Sequence, residues 1–330
     1  MAELIAPEVA ASGEISGALQ LLDLDADLGD VDALVAELAV RTSVVVGLAH
    51  GPVEERVAEA LDLTLTAQPA RSQHCVTVDD LDAAAAQLAQ VATTHPRAVL
   101  VVAALLRQTA RLPAAEGLAA EASAYSTLLA GPEFARWLAA RGPARPPHPE
   151  DDKRIDVRRD GDRLDVRLVR VVRRNAFDAA MRVELSWALA VALADESVQV
   201  RLTAAGPVFS AGGDLDEFGS AADPATAWAV RVTDSPALAL ARLSARTEAL
   251  VHGACVGAGV ELPAFAGHVV ADPGATFRLP EVAMGLLPGA GGTVSLTRRI
   301  GRWRTLWLAL TGAPLDAATA RDWGLVDALS

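Results

Sequence analysis

The chain has 330 residues, enough for one large domain or two ordinary ones. Its formal charge of −13 excludes a general nucleic-acid binder, although local basic groups could still hold an anionic small ligand. Alanine is abundant and aromatic residues make up only 4%, so a core of Ala, Val and Leu is expected.

The N-terminal stretch "MAELIAPEVAASGE" lacks the basic region and apolar core of a secretory signal. Further on, "TSVVVGLAHG" reads as a β-branched strand ending at glycine, and "PVEERVAEAL" as a helix with Pro52 in its first turn. "LTLT" and "CVTV" read as strands, and "VDDLDAAAAQLAQVATTHP" as a helix capped by Asp79 or Asp80 that stops before Pro96. "RAVLVVAALL" fits a buried strand or a core helix equally by period, and its apolar run is too short to span a bilayer. "PAAEGLAAEASAYSTLLAGPEFARWLAARG" is strongly helical with a break at Gly131-Pro132. Cys75 and Cys255 lie far apart without metal spacing and read as reduced core thiols. Together these features set the expectation of a soluble cytoplasmic protein with no membrane association and no bound metal.

Residues 141–154, "RGPARPPHPEDDKR", are dense in proline and charge. His148, Glu150, Asp151 and Asp152 could suggest a metal site, but an extended solvated linker suits them better. This places a boundary at residue 144, with an α/β and helical region over 1–144 and a second region over 145–330. The second region opens on a hairpin pattern about Asp160-Gly161 in "RIDVRRDGDRLDVRLV", followed by a helix over 175–194. The strand "VQVRLTAAG" comes next, then mostly helix over 223–250, then a strand through "ALVHGACVG". "ELPAFAG" continues as a helix and "HVVADPGATFRLPE" as strand, turn and strand, so a strand-strand-helix rhythm recurs.

Two glycine turns follow strands and precede helices, "SAGGD" over 210–214 and "GAG" over 257–259. Small residues there either simply permit tight turns or let two main-chain N–H groups converge on one developing oxyanion. Neither turn fits a dinucleotide fingerprint, and no phosphate loop or nucleophile elbow is present. Glu261 and Glu281, twenty positions apart, each sit among apolar residues. Two such carboxylates suit paired general acid and base work; pairing with arginines such as Arg278 is the structural alternative. Asp214 reads as a helix cap, His252 as structural, and Tyr125, the single tyrosine, as core packing. The run Arg298, Arg299, Arg302 and Arg304 reads as a solvated helix face.

Over residues 154–329 these pieces, with "LPEVAMGLLPGAGGT" the most specific, resemble the enoyl-CoA hydratase/isomerase (crotonase) superfamily. The resemblance implies an α/β fold, the crotonase-like ββα superhelix, here with an N-terminal α/β and helical extension. It implies an acyl-CoA thioester substrate, no cofactor beyond the coenzyme A of that substrate, and a homo-oligomer (trimer or dimer of trimers). The family's oxyanion hole falls on the N–H groups of Gly213 and Ala258, and its two catalytic glutamates on Glu261 and Glu281. Its coenzyme A groove falls on Arg174, Asn175, Ala176 and Phe177 of "RRNAF", with Ala211 of the first glycine turn. An enoyl-CoA hydratase is the leading expectation; an isomerase or another lyase of the superfamily is the alternative, and a non-catalytic acyl-CoA binding or assembly protein a further one.

The chain departs from the family pattern at Ala258, where glycine is common, at Gly267, where hydratases usually carry aspartate, and at Pro263. Residues 105–143 resemble the helical segment that family members carry at their C-terminus, displaced here to the front. On that expectation they replace the family's cap over the site.

Overall fold

The computed structural model describes residues 4–146 and 153–330. The acidic stretch containing His148, Glu150, Asp151 and Asp152 lies outside the described residues. The first half begins with a short antiparallel pair, β1 (Glu8–Val9) and β2 (Ile15–Ser16). It continues through β3 (Leu19–Asp23), α1 (Val31–Val40), β4 (Val44–Ala49), α2 (Glu55–Ala60), β5 (Leu63–Thr66) and β6 (Cys75–Thr77). Four helices follow, α3 (Leu81–Thr94), α4 (Pro96–Thr109), α5 (Ala114–Leu129) and α6 (Pro132–Arg141).

Strands β3 to β6 form an all-parallel sheet in sequence order. The valine run of β4 is buried on both faces, as a covered parallel strand requires. Alternation splits it: Val45 packs with Leu34 and Leu38 of α1 and Val57 of α2, whereas Val44 and Val46 face the main core with α3 and α4. The ambiguous apolar run is the helix α4. Pro96 opens it, and Ala98, Val99, Val102, Ala103, Leu105 and Leu106 make a buried stripe of helical period. Pro52 lies before α2, not in its first turn, because Glu54 caps that helix by accepting from the Val57 N–H at 2.9 Å.

The second half runs β7 (Ile155–Asp160), β8 (Arg163–Leu168), α7 (Ala179–Ala194), β9 (Gln199–Ala204), α8 (Pro224–Thr233), α9 (Pro236–Leu243), β10 (Thr247–Val251), β11 (Ala254–Val256) and α10 (Ala258–Glu261). It closes with β12 (His268–Ala271), β13 (Thr276–Arg278), α11 (Gly292–Thr311), β14 (Leu315–Asp316), α12 (Ala317–Trp323) and β15 (Ala328–Leu329). The larger sheet has the order β15-β12-β10-β9-β8-β7 and is antiparallel only at the β7–β8 hairpin. A second sheet has the order β11-β13-β14. The chain passes from the first sheet to the second after β10 and again after β12, which is the strand-strand rhythm of the sequence.

Helix α7 starts four residues later than the sequence suggests. Arg174 and Asn175 are left-handed, both at φ 53°, and Asp178 caps the helix by accepting from the Met181 N–H. The buried Asn175 side chain holds this turn by donating to the carbonyls of Ala205 and Val208. "ELPAFAG" is one turn of α10 followed by a 3-10 turn over Pro263–Phe265. Helix α11 breaks at Gly301, whose φ of 79° no β-carbon-bearing residue adopts cheaply.

The two halves share one apolar core running from Val44 to Val326. Polar ties reinforce it: the Thr109 hydroxyl donates to the Thr293 carbonyl at 2.7 Å, and the Trp303 indole donates to the Leu61 carbonyl at 3.0 Å. Asp62, 1% exposed at its side chain, binds Arg41 and Arg107 from the first half and meets Arg302 from the second at 3.6 Å. Arg298 is exposed, but the rest of the arginine run is not a solvated face. Arg299 donates to the carbonyls of Ala264 and Ala266, and Arg304 is buried with its guanidinium over Trp323.

Burial alone would raise the Asp62 pKa, but the Arg107 hydrogen bond and the charges of Arg41 and Arg107 outweigh it and hold the pKa below the usual carboxylate value. Removing the carboxylate would strand several guanidinium groups against the core. Asp62→Ala is expected to cost about 3–5 kcal/mol of stability, read by denaturant unfolding. An unchanged midpoint would show that this cluster is energetically neutral.

Candidate active site

The carboxyl-terminal ends of β9 and β10, with the turns that follow them, bring the two glycine segments side by side. Ser210 pairs with Cys255, and a β-carbon on Gly212 would approach the Val256 carbonyl oxygen to 2.9 Å. Gly212 and Gly257, at φ 89° and 49°, hold backbone conformations that L side chains avoid. The N–H groups of Gly213 and Ala258 donate to no backbone acceptor among the described residues, and both residues line a cavity of about 600 Å³. The first turn is not followed directly by a helix, since α8 begins only at Pro224. Gly213 is held instead by pairing with Phe177, whose N–H donates to the Gly212 carbonyl at 2.7 Å. Asp214 caps no helix: it is buried and accepts from Arg170 at 2.6 Å.

Glu261 and Glu281 line the same cavity, and both are buried. Glu261 Oε2 accepts from the N–H groups of Ala290 at 2.7 Å and Gly292 at 2.8 Å. Glu281 is held differently. Its carboxyl lies against Gly257, where a β-carbon would come within 2.5 Å of Oε1, and its buried Oε2 has no hydrogen-bond partner. Neither glutamate forms an ion pair among the described residues. Arg278, the partner considered from the sequence, donates to the Gly312 carbonyl instead.

Burial sets the proton affinities. It raises the Glu261 pKa to about 7, against the opposing pull of the Ala290 and Gly292 amides and the Arg231 charge. Burial, with the neighbouring charges of Glu261 and Glu121, pushes Glu281 well above the carboxylate range. Three acids line the one cavity with raised proton affinity, since burial and the Glu261 charge also raise Glu121, to about 8.

The other candidate residues spread out. Phe177 lines the cavity, while Arg174 and Ala211 lie exposed beside each other, joined by the Ala211 N–H donating to the Arg174 carbonyl at 2.9 Å. Asn175 and Ala176 are buried, the former serving the turn described above. His252 lies at the end of β10, its ring Nε2 2.9 Å from the Gly206 carbonyl.

Two residues with no role assigned from the sequence stand in the cavity wall. Glu121 of α5 is buried and lies close enough to raise the proton affinity of Glu281. Its signal was its place in the apolar stripe Gly117, Glu121, Tyr125 and Leu128, all buried. Arg231 of α8 stacks on Tyr125 with its guanidinium 3.7 Å from the ring centre and donates to the Gly289 carbonyl at 3.0 Å. Tyr125 itself lines the cavity, as do Phe134 and Leu138 of α6, so helices from the first half wall a site built mainly by the second. Among the described residues no group of three His, Cys, Asp or Glu side chains is placed to hold a metal.

A family model for enoyl-CoA hydratase/isomerase matches residues 164–330. The chain is 36% identical over 163 residues to the 2,3-dehydroadipyl-CoA hydratase of Escherichia coli (strain K12), covering 48% of this chain and 62% of that protein. It is equally 36% identical over 157 residues to a trans-2-decenoyl-[acyl-carrier-protein] isomerase of Streptococcus mutans, covering 46% and 60%. An enoyl-CoA hydratase structure from Geobacillus kaustophilus HTA426 superimposes with a TM-score of 0.50 at 31% identity, covering 55% of this chain and 70% of that one. The chain spans about three-fifths of the length of these curated relatives. The matched region contains both glycine turns and both glutamates, on the crotonase fold of those structures. The chain belongs to the enoyl-CoA hydratase/isomerase family.

Proposed function

We propose that the protein hydrates an α,β-unsaturated acyl-CoA thioester. The observation that carries this reading is Glu281 Oε2, buried in the cavity wall without a partner, beside the glycine turn that presents the unpaired Ala258 N–H. A buried polar oxygen without a partner is costly, which is the expected state of a group whose partner is the substrate.

In the proposed reaction the thioester oxygen accepts from the N–H groups of Gly213 and Ala258. Negative charge grows there as water attacks the β-carbon, and two fixed donors in a water-poor cavity stabilise it. Glu261, ionised, takes a proton from the water as its oxygen bonds to the β-carbon. Glu281, protonated, gives its proton to the α-carbon, and a proton then passes from Glu261 to Glu281 to restore the resting state. The different settings of the two acids suit these roles: two amides hold Glu261 towards the charged form, whereas no hydrogen bond reaches Glu281 Oε2. Arg174, with Ala176, Phe177 and Ala211, would border the coenzyme A part of the substrate. The reaction uses no metal or redox group.

Isomerisation is the second reading, favoured by Glu261 Oε2 being engaged by two amides, which leaves Glu281 as the freer acid-base group. Crotonyl-CoA hydration, followed by loss of conjugate absorbance, and 3-enoyl-CoA isomerisation separate the two. Wild type should hydrate, and Glu261→Gln should lose about a hundredfold of that rate. Turnover of the 3-enoyl substrate alone, unaffected by Glu261→Gln, would assign the isomerase. Binding of coenzyme A thioesters without any turnover would assign a non-catalytic binder.

A further inference from the structure

We propose that Glu121, contributed by the first half of the chain, is a positioning residue for the catalytic glutamates, acting through a carboxylate clamp on residues 290–293. The inference rests on the hydratase or isomerase reading of the site. Four successive amides at the start of α11 are shared alternately by two carboxylates. The Ala290 and Gly292 N–H groups donate to Glu261 at 2.7 and 2.8 Å. The Gly291 and Thr293 N–H groups donate to Glu121 at 2.7 and 3.0 Å, and the Thr293 hydroxyl donates to it at 2.6 Å.

The two acids approach this segment from elements 140 positions apart in sequence. Neither can shift without releasing amides that the other depends on, because neighbouring peptide planes move together. Gly292 adds a steric limit, since a β-carbon there would meet Glu261 Oε2 at 2.7 Å. Gly291, at φ 103°, permits the turn that presents adjacent amides to opposite carboxylates. Thr109, at the end of α4, anchors the same segment by its bond to the Thr293 carbonyl. The first half therefore does more than cover the cavity: it fixes the backbone that holds Glu261.

Charge supplies a second connection. Glu281 faces Glu261 from α10, Glu121 and Tyr125 from α5, and Arg278 from β13, while Arg231 from α8 acts on Glu261 and Tyr125. Burial and the Glu261 charge raise Glu121 itself to about 8, so its charge raises the proton affinity of Glu281 on the alkaline side, and removing it lowers that affinity there.

The test is Glu121→Gln in the full chain. Glutamine keeps the shape but has one accepting oxygen, so its NH₂ must face a main-chain donor. The expected result has three parts: kcat falls about a hundredfold with KM little changed, the alkaline limb of the kcat–pH profile moves to lower pH, and deuterium exchange of the peptide spanning 286–297 quickens. Wild-type kcat and pH profile would overturn the proposal, and so would unchanged exchange. A loss of kcat with an unmoved pH limb would reduce Glu121 to general scaffolding and also overturn it. Should Glu121→Gln fold poorly, Thr293→Val, which deletes one donor to Glu121 with little change of volume, should show the same pattern in weaker form, and wild-type behaviour there would count against the clamp. If wild type turns over neither substrate, the proposed function fails, whereas the exchange measurement still decides the clamp.

Discussion

Glu281→Gln is expected to lower kcat about a thousandfold with little effect on KM, because a group that moves a proton at carbon in the transition state contributes on that scale. The amide fills the same space beside Gly257 and cannot deliver a proton. The pH dependence gives a second readout. Wild type should show a bell-shaped profile, with an acidic limb where Glu261, set to about 7, becomes protonated, and an alkaline limb where Glu281, raised well above the carboxylate range, loses its proton. The signs follow from the roles: activity falls with falling pH as the base is neutralised and with rising pH as the acid is emptied. In Glu281→Gln the alkaline limb should vanish. Full activity in this variant would remove Glu281 from the chemistry.

Ala258→Pro is expected to cost a further large factor, about 10²–10³ in kcat, through loss of one main-chain donor to the thioester oxygen. The substitution suits the question because Ala258 is the first residue of α10, where proline is well accommodated and no intrahelical hydrogen bond is broken. The fold should survive, shown by an unchanged thermal midpoint, while the proline ring replaces the N–H that lines the cavity. A variant that stays folded and loses less than threefold would mean that the Ala258 amide does not face the reacting oxygen.

Both variants act on residues that were visible in the sequence, and the reason is physical. A glutamate in a glycine-rich apolar run, or in "LPEVAMG", violates the ordinary partition of charge, and such violations are legible without coordinates. The same holds for the hairpin about Gly161, the valine strand at 44–46 and the helix break at Gly131-Pro132, each set by local turn chemistry or period. What misled the sequence reading was competition from distant partners. Asparagine tolerates the left-handed region but Arg174 carries no local signal for it; the bonds from Asn175 to the carbonyls of Ala205 and Val208 hold the turn. The arginine run of α11 has the composition of a wet surface, but apart from the exposed Arg298, carbonyls and Asp62 from other segments engage it. Apolar runs such as 97–106 satisfy two periods over a short span, and only the stripe against the core selects the helix.

Glu121 marks the division most clearly. By itself the sequence determined the chemical inventory: two acids in apolar settings, two turns able to present bare amides, and a family pattern over the second half. Those properties depend on neighbours along the chain. Only the tertiary structure decided that a glutamate from the first half shares successive amides with Glu261. Hydrogen bonds between residues 170 apart leave no trace in local composition, because the carboxylate and the amides it binds become neighbours only after both halves have packed on one core.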